Sequence, residues 1–128
     1  MSSSRLLDYL DHMQQAATDV SSFVDGLNHA DFLNDKRTQQ AVIMNLIIIG
    51  EAATKVMEHY ATFTQAHPEV PWHSMRGMRN RMTHGYFDVD LNVVWETAQQ
   101  SLPELLKKLL ALRVEAVAEH RNNEGMAS

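Results

Sequence analysis

Nine consecutive residues, Ala41-Val42-Ile43-Met44-Asn45-Leu46-Ile47-Ile48-Ile49, carry one polar side chain among them, and no other stretch limits the fold as much. Wound into a helix, they leave no polar face. Such a helix has to be covered on several sides, by its own core or by a second copy of the chain. The wider run over 41–53 includes Asn45 and Glu51 and falls short of the roughly 20 apolar residues that cross a bilayer. A buried core helix from about Asp35 or Thr38 to about Tyr60 is therefore expected, with no membrane contact. Gly50, Ala52 and Ala53 would let a neighbouring helix come close.

The rest of the chain supplies the cover. Leu6, Leu10, Met13, Ala17, Val20, Val24 and Leu27 recur at spacings of three and four, which places them on one stripe of a first helix. Ser3 or Ser4 can cap its start, and Gly26 lies near its end. A short amphipathic turn is expected over 28–34 and a loop over 64–70. Pro71 suits the first position of a third helix running from Trp72 to about Thr83, with Gly85 as its stop. Asp90 is a good N-cap for a last helical region carrying Val93, Val94, Ala98, Leu102, Leu105, Leu106, Leu109 and Leu112. Pro103 should kink or restart it, and Ser101 with Glu104 has capping-box spacing for a restart.

Strand patterns and hairpin dipeptides are missing. The expected fold is all-α: an antiparallel four-helix-type bundle, one domain over 1–120 with a disordered tail over 121–128, dimerising through helices. The surplus of apolar residues on the second helix is the reason for the dimer.

Composition narrows the function. With 45% hydrophobic and 21% charged residues the chain is globular, and without cysteine it has no disulfide, thiolate zinc site or thiol nucleophile. No charged start leads into a long apolar stretch, so a cytoplasmic location is expected. The seven histidines show no metal-ligand spacing, no glycine-rich phosphate loop is present, and neither metal nor cofactor is expected. A net charge of −5 argues against general affinity for nucleic acid. One segment is the exception. Arg76, Arg79, Arg81, His73 and His84 lie within twelve residues that contain no acid.

On a helical wheel at ~100° per residue, Trp72, Met75, Met78 and Met82 share the core-facing arc, while Arg81 points to solvent. Arg79 falls inside the apolar arc. Two readings follow, because a guanidinium there needs a partner or a cavity. In one, its stem packs on Trp72 and its head reaches a carboxylate such as Glu51; in the other, it binds an anion at the rim of a cleft. His84 would be rotated by ~140° from Arg79 on a regular helix, but a helix ending at Gly85 lets it turn back. Arg and His together suit RNA cleavage. A neutral imidazole takes a proton from a ribose 2′-hydroxyl or returns one to the leaving oxygen, and a guanidinium binds a phosphate as charge builds on it. Asn80, Arg76 and Thr83 are supporting candidates, and Tyr86 adds a hydroxyl nearby.

Arg79-Asn80-Arg81-Met82-Thr83-His84-Gly85-Tyr86 resembles the Arg-x4-His-x-Tyr signature of the HEPN superfamily, in the form found in HepT-like toxins. Further segments resemble that family in order and spacing: 8–13, Phe23-Val24-Asp25-Gly26, Ile48-Ile49-Gly50-Glu51-Ala52-Ala53, Pro71-Trp72, Tyr86-Phe87 with Val89-Asp90, Val94-Trp95 and Leu102-Pro103. The resemblance implies a homodimer whose two signatures line a shared cleft, acting as a metal-independent endoribonuclease on tRNA or mRNA. It implies catalytic roles for Arg79 and His84 and a supporting one for Asn80. It also implies a toxin–antitoxin pair, in which an MntA-like nucleotidyltransferase antitoxin neutralises the toxin by AMPylation of Tyr86, and it admits a higher assembly of the two. A non-catalytic nucleotide- or partner-binding HEPN module is the alternative. The chain departs from the pattern at Met44 and Ile47, where many relatives carry a basic and an acidic residue.

Overall fold

The computed structural model describes residues 2–127, with side chains at 5–118 and at 121. Helix α1 spans Ser2–Val24, α2 His29–Leu33, α3 Lys36–His59, α4 Ala61–Ala66, α5 Trp72–His84, α6 Leu91–Glu96 and α7 Leu102–Ala127. A 3-10 turn at Tyr86–Asp88 follows α5, and a π-helical turn at Thr97–Ser101 joins α6 to α7. No strand occurs among the described residues. The fold is all-α.

The apolar run does what its composition requires. α3 lies between α1 and α5, and α7 covers the other side of α1. By length and mean hydropathy α3 would suffice to cross a bilayer, but half of its most apolar stretch is buried within the bundle. Val42, Ile43, Leu46, Ile49, Ala53 and Val56 meet Leu6, Leu10, Met13, Ala17, Val20 and Val24 of α1 in one core, which Leu105, Leu109 and Leu112 of α7 complete. Fully burying a side chain such as Leu10, Ile49 or Leu109 contributes about 1.5–3 kcal/mol. Leu27, the last residue of the expected stripe, is only half-buried because α1 has already ended.

Local chemistry sets most boundaries. Gly26 turns the chain at φ +79, which a side chain resists. Asn28 and Asp31 form a reciprocal capping box on α2. Asp35 caps α3 by accepting from the Thr38 amide at 3.1 Å and its hydroxyl at 2.6 Å. Both donors hold the Asp35 carboxyl below the usual carboxylate range, the hydroxyl foremost. Asp90 caps α6 by accepting from the Asn92 amide at 2.9 Å, as its position suggests.

Several expectations are corrected. α1 begins at Ser2, so Ser3 and Ser4 fall within it; their side chains lie outside those described. Residues 64–66 are helical, not loop: the Thr64 amide closes a turn on the Tyr60 carbonyl at 3.1 Å, and its hydroxyl donates to the Ala61 carbonyl at 2.9 Å. Pro71 sits one place earlier than expected, as the cap before Trp72. No restart occurs at Ser101: the Leu102 amide bonds to the Thr97 carbonyl, and this widened turn carries the helix past Pro103. The segment 121–128, expected as a tail, falls largely outside the described side chains, and the α7 backbone is helical to Ala127.

Candidate active site

Everything in the candidate site depends on how closely α5 approaches α3. Gly50 makes the approach possible. A Cβ at position 50 would lie 2.3 Å from the Arg79 Cβ and 2.7 Å from the Met75 carbonyl oxygen. The stem of Arg79 therefore rests on the bare backbone of α3, and Trp72, Met75 and Met82 enter the core on the same side. Arg79 itself is 18% exposed.

Its head is doubly held. Nη1 donates to Oε1 of Glu51, one residue beyond Gly50, and Nε donates to Asn80 Oδ1 at 2.8 Å. The carboxylate partner foreseen for a structural arginine is thus in place, with the stem on Gly50. Glu51 is 52% exposed, so the pair sits at the surface of the bundle and can be reached from solvent.

His84 is the last helical residue of α5, followed by Gly85. It is exposed, and its ring has no hydrogen-bond partner among the described residues. It lines an open hollow of about 710 Å3 together with Met78, Asn80, Arg81, Met82, Asp88, Val89, Asp90, Val93 and Val94. Arg79 does not line that hollow. Asn80, bonded to Arg79, borders the hollow together with His84.

The other candidates divide. Arg76 turns towards the far end of α3, its Nη2 3.8 Å from Met57 Sδ and 3.3 Å from His73 Nδ1. Thr83 spends its hydroxyl on the Arg79 carbonyl of its own helix, at 3.0 Å. Tyr86 is exposed on the 3-10 turn, with its ring edge-on to Phe87, which is 99% exposed. Met44 is exposed on α3, in line with Ile48 and Glu51, whereas Ile47 packs half-buried against the core.

Sequence reasoning missed the far wall of the hollow. Val89, Val93 and Val94 come from the chain that returns after the 3-10 turn, and only the exposed Val93 carries a hint of it. It also missed buried His67, whose ring lies 3.2 Å from Glu69 and 3.6 Å from Glu115 and packs on Phe63. The Trp72 indole donates to the His67 carbonyl at 3.0 Å, which fixes the approach to α5. Among the described residues no group of three or more His, Asp or Glu side chains is placed to hold a metal ion.

Comparison with known proteins gives the chain a family. The family model for HepT-like ribonucleases matches residues 13–112. A protein named probable ribonuclease HepT from Thermococcus cleftensis is 41% identical over 106 residues, covering 83% of this chain and 94% of the relative. Proteins named "putative RNase" from Caldanaerobacter subterraneus subsp. tengcongensis (35% identical; 79% of this chain, 88% of the relative) and Methanocaldococcus jannaschii (30%; 92% of each) are also similar. No solved structure matches the chain. The matched span contains every helix that builds the site, from most of α1 through the first turns of α7, and the chain belongs to the HepT-like ribonuclease family.

Proposed function

We propose that the chain is a metal-independent endoribonuclease of the cytoplasm, acting on tRNA or mRNA as the toxin of a toxin–antitoxin pair. The observation that carries this reading is at the end of α5, where Asn80 holds Arg79 Nε at 2.8 Å and itself borders, with the exposed His84, an open hollow. In the proposed reaction a ring nitrogen of His84 takes the proton of a ribose 2′-hydroxyl. The 2′-oxygen attacks the adjacent phosphorus, the bond to the 5′-oxygen breaks, and a proton returns to that oxygen. Arg79 stabilises the charge that gathers on the phosphate oxygens.

A homodimer completes the arrangement. Met44 and Ile48 on α3 and Phe87 beyond α5 are large apolar side chains left exposed by one chain, as an interface would require. Tyr86, exposed beside the hollow, is accessible to a nucleotidyltransferase antitoxin of the MntA type. AMP on its hydroxyl would add bulk and negative charge where RNA phosphate has to bind.

Purified wild-type chain incubated with total tRNA and mRNA, beside His84→Ala and Arg79→Ala, tests the nuclease. Cleavage by the wild type that both variants lose supports it; equal cleavage by the variants rejects it. Mass spectrometry after co-expression with the antitoxin tests Tyr86, since Tyr86→Phe should lose the added AMP. One observation favours a non-catalytic module that binds a nucleotide or partner: Arg79 is engaged by Glu51 and stands outside the hollow that His84 lines. That reading requires binding with no RNA cut.

A further inference from the structure

We infer that Glu51 is a positioning residue for the site: it holds the Arg79 guanidinium in the orientation that receives a phosphate. The inference rests on the nuclease reading above and extends it to a residue on a different helix.

A guanidinium has five N–H groups. Asn80 takes the one on Nε at 2.8 Å, and Glu51 takes one on Nη1. Nη2, with two N–H groups, has no hydrogen-bond partner among the described residues. The two contacts come from different helices, Asn80 from α5 and Glu51 from α3. Together they fix the plane of the group and leave one nitrogen to offer an anion. Arginine carries several rotatable bonds, and a head fixed in advance loses less entropy when it binds.

The pair opens to solvent on the Glu51 side, which is half exposed while Arg79 is mostly covered, so stability has to be read beside activity. The α3–α5 contact is already set by the seat of Arg79 and Met75 on Gly50. The one-residue step from Gly50 to Glu51 is what brings the carboxylate beside the head of the arginine that Gly50 admits. A carboxylate next to a phosphate site also opposes RNA binding, because the two charges repel. Glu51 therefore weakens substrate affinity while it orders the group that acts in the transition state.

That conflict gives the test its signature. Wild type, Glu51→Ala and Glu51→Gln are compared in steady-state cleavage of a fluorogenic RNA oligonucleotide, with melting temperature measured alongside. Glu51→Ala should lower kcat by about 10- to 100-fold, the scale of a misplaced catalytic group, while KM stays level or falls. Glu51→Gln keeps an acceptor oxygen for Nη1 and should recover most of the lost kcat. Wild-type kcat in Glu51→Ala would overturn the inference, as would a loss of kcat that only tracks a lost fold. A second readout does not depend on activity: the 15N–1H signal of Arg79 Nε. It should be sharp in the wild type and broadened in Glu51→Ala. Should the wild type leave RNA uncut, the nuclease reading falls; a broadened Arg79 signal in the variant would still uphold positioning, and an unchanged signal would end it.

Discussion

Replacing Gly50 by alanine tests the contact on which the site is built. Mid-helix, the change ordinarily stabilises by about 1 kcal/mol, since alanine is the better helix former. Here the new methyl would stand 2.3 Å from the Arg79 Cβ and 2.7 Å from the Met75 carbonyl oxygen. Neither atom is the loose end of a side chain, so α5 as a whole has to back away from α3. Overpacking of this kind costs about 1–3 kcal/mol and occasionally more; two obstructing atoms fixed to the α5 backbone put it at the upper end. The net loss is about 2 kcal/mol, which for a chain of 128 residues is a fall in melting temperature of roughly 6–10 °C. Gly77 supplies the control. It lies within α5, and a Cβ there meets only the tip of Arg81 at 3.4 Å. Gly77→Ala should therefore raise the melting temperature by a few degrees. Both variants are read by thermal circular dichroism at 222 nm. A Gly50→Ala protein that melts no lower than the wild type would refute the close approach of α5 to α3.

Phe32 of α2 is fully buried, and Phe32→Ala should cost about 3–5 kcal/mol in urea unfolding. A loss under 1 kcal/mol would mean that α2 does not seal the core. Asp35 has a folded pKa below its ordinary 3.8, so its stabilising effect is complete above that value and is lost as pH falls through the folded pKa. Melting at pH 5 and pH 3 should show a larger drop for the wild type than for Asp35→Asn, which keeps the cap and removes the titration; equal drops would contradict the assignment. If His84 is the proton acceptor, His84→Ala should lower RNA cleavage by about 10²- to 10⁴-fold with an unchanged melting temperature. Residual activity near wild type would move the role elsewhere.

Much of the bundle can be read from the chain because burial imposes a period. The α1 residues from Leu6 to Val24 predicted as a stripe are buried, since the spacing of three and four admits one core-facing side. α3 was legible as a core helix but not in its orientation. A stretch apolar all round has no period to say that Met44 and Ile48 would face out while Ile43 and Ile49 face in. The π-turn over Thr97–Ser101 has no residue signature, and Pro103 suggested a break where the chain instead widened one turn. At the site, the wheel placed Arg79 among core residues, where a guanidinium needs a partner or a cavity, and Glu51 was one carboxylate that could serve. It could not show that His84 would open on a hollow that Arg79 does not line. That depends on where the chain goes after Gly85, and Val89, Val93 and Val94 return through a turn that only tertiary packing fixes.

α5 is moored along one flank. It packs on α3, while a second hollow of about 260 Å3, lined by Leu46, Ile49, Met75, Met78, Leu102 and Leu105 among others, opens between it and the start of α7. α1 would still pack on both α3 and α7 if α5 swung out, whereas the departure of α3 would leave α5 without its main support. The signature is thus carried on an outrigger, and amide hydrogens of α5 should exchange ahead of those in α1 and α3. Loosening at that edge reaches Arg79, Asn80 and His84 first and leaves the hull of the molecule standing.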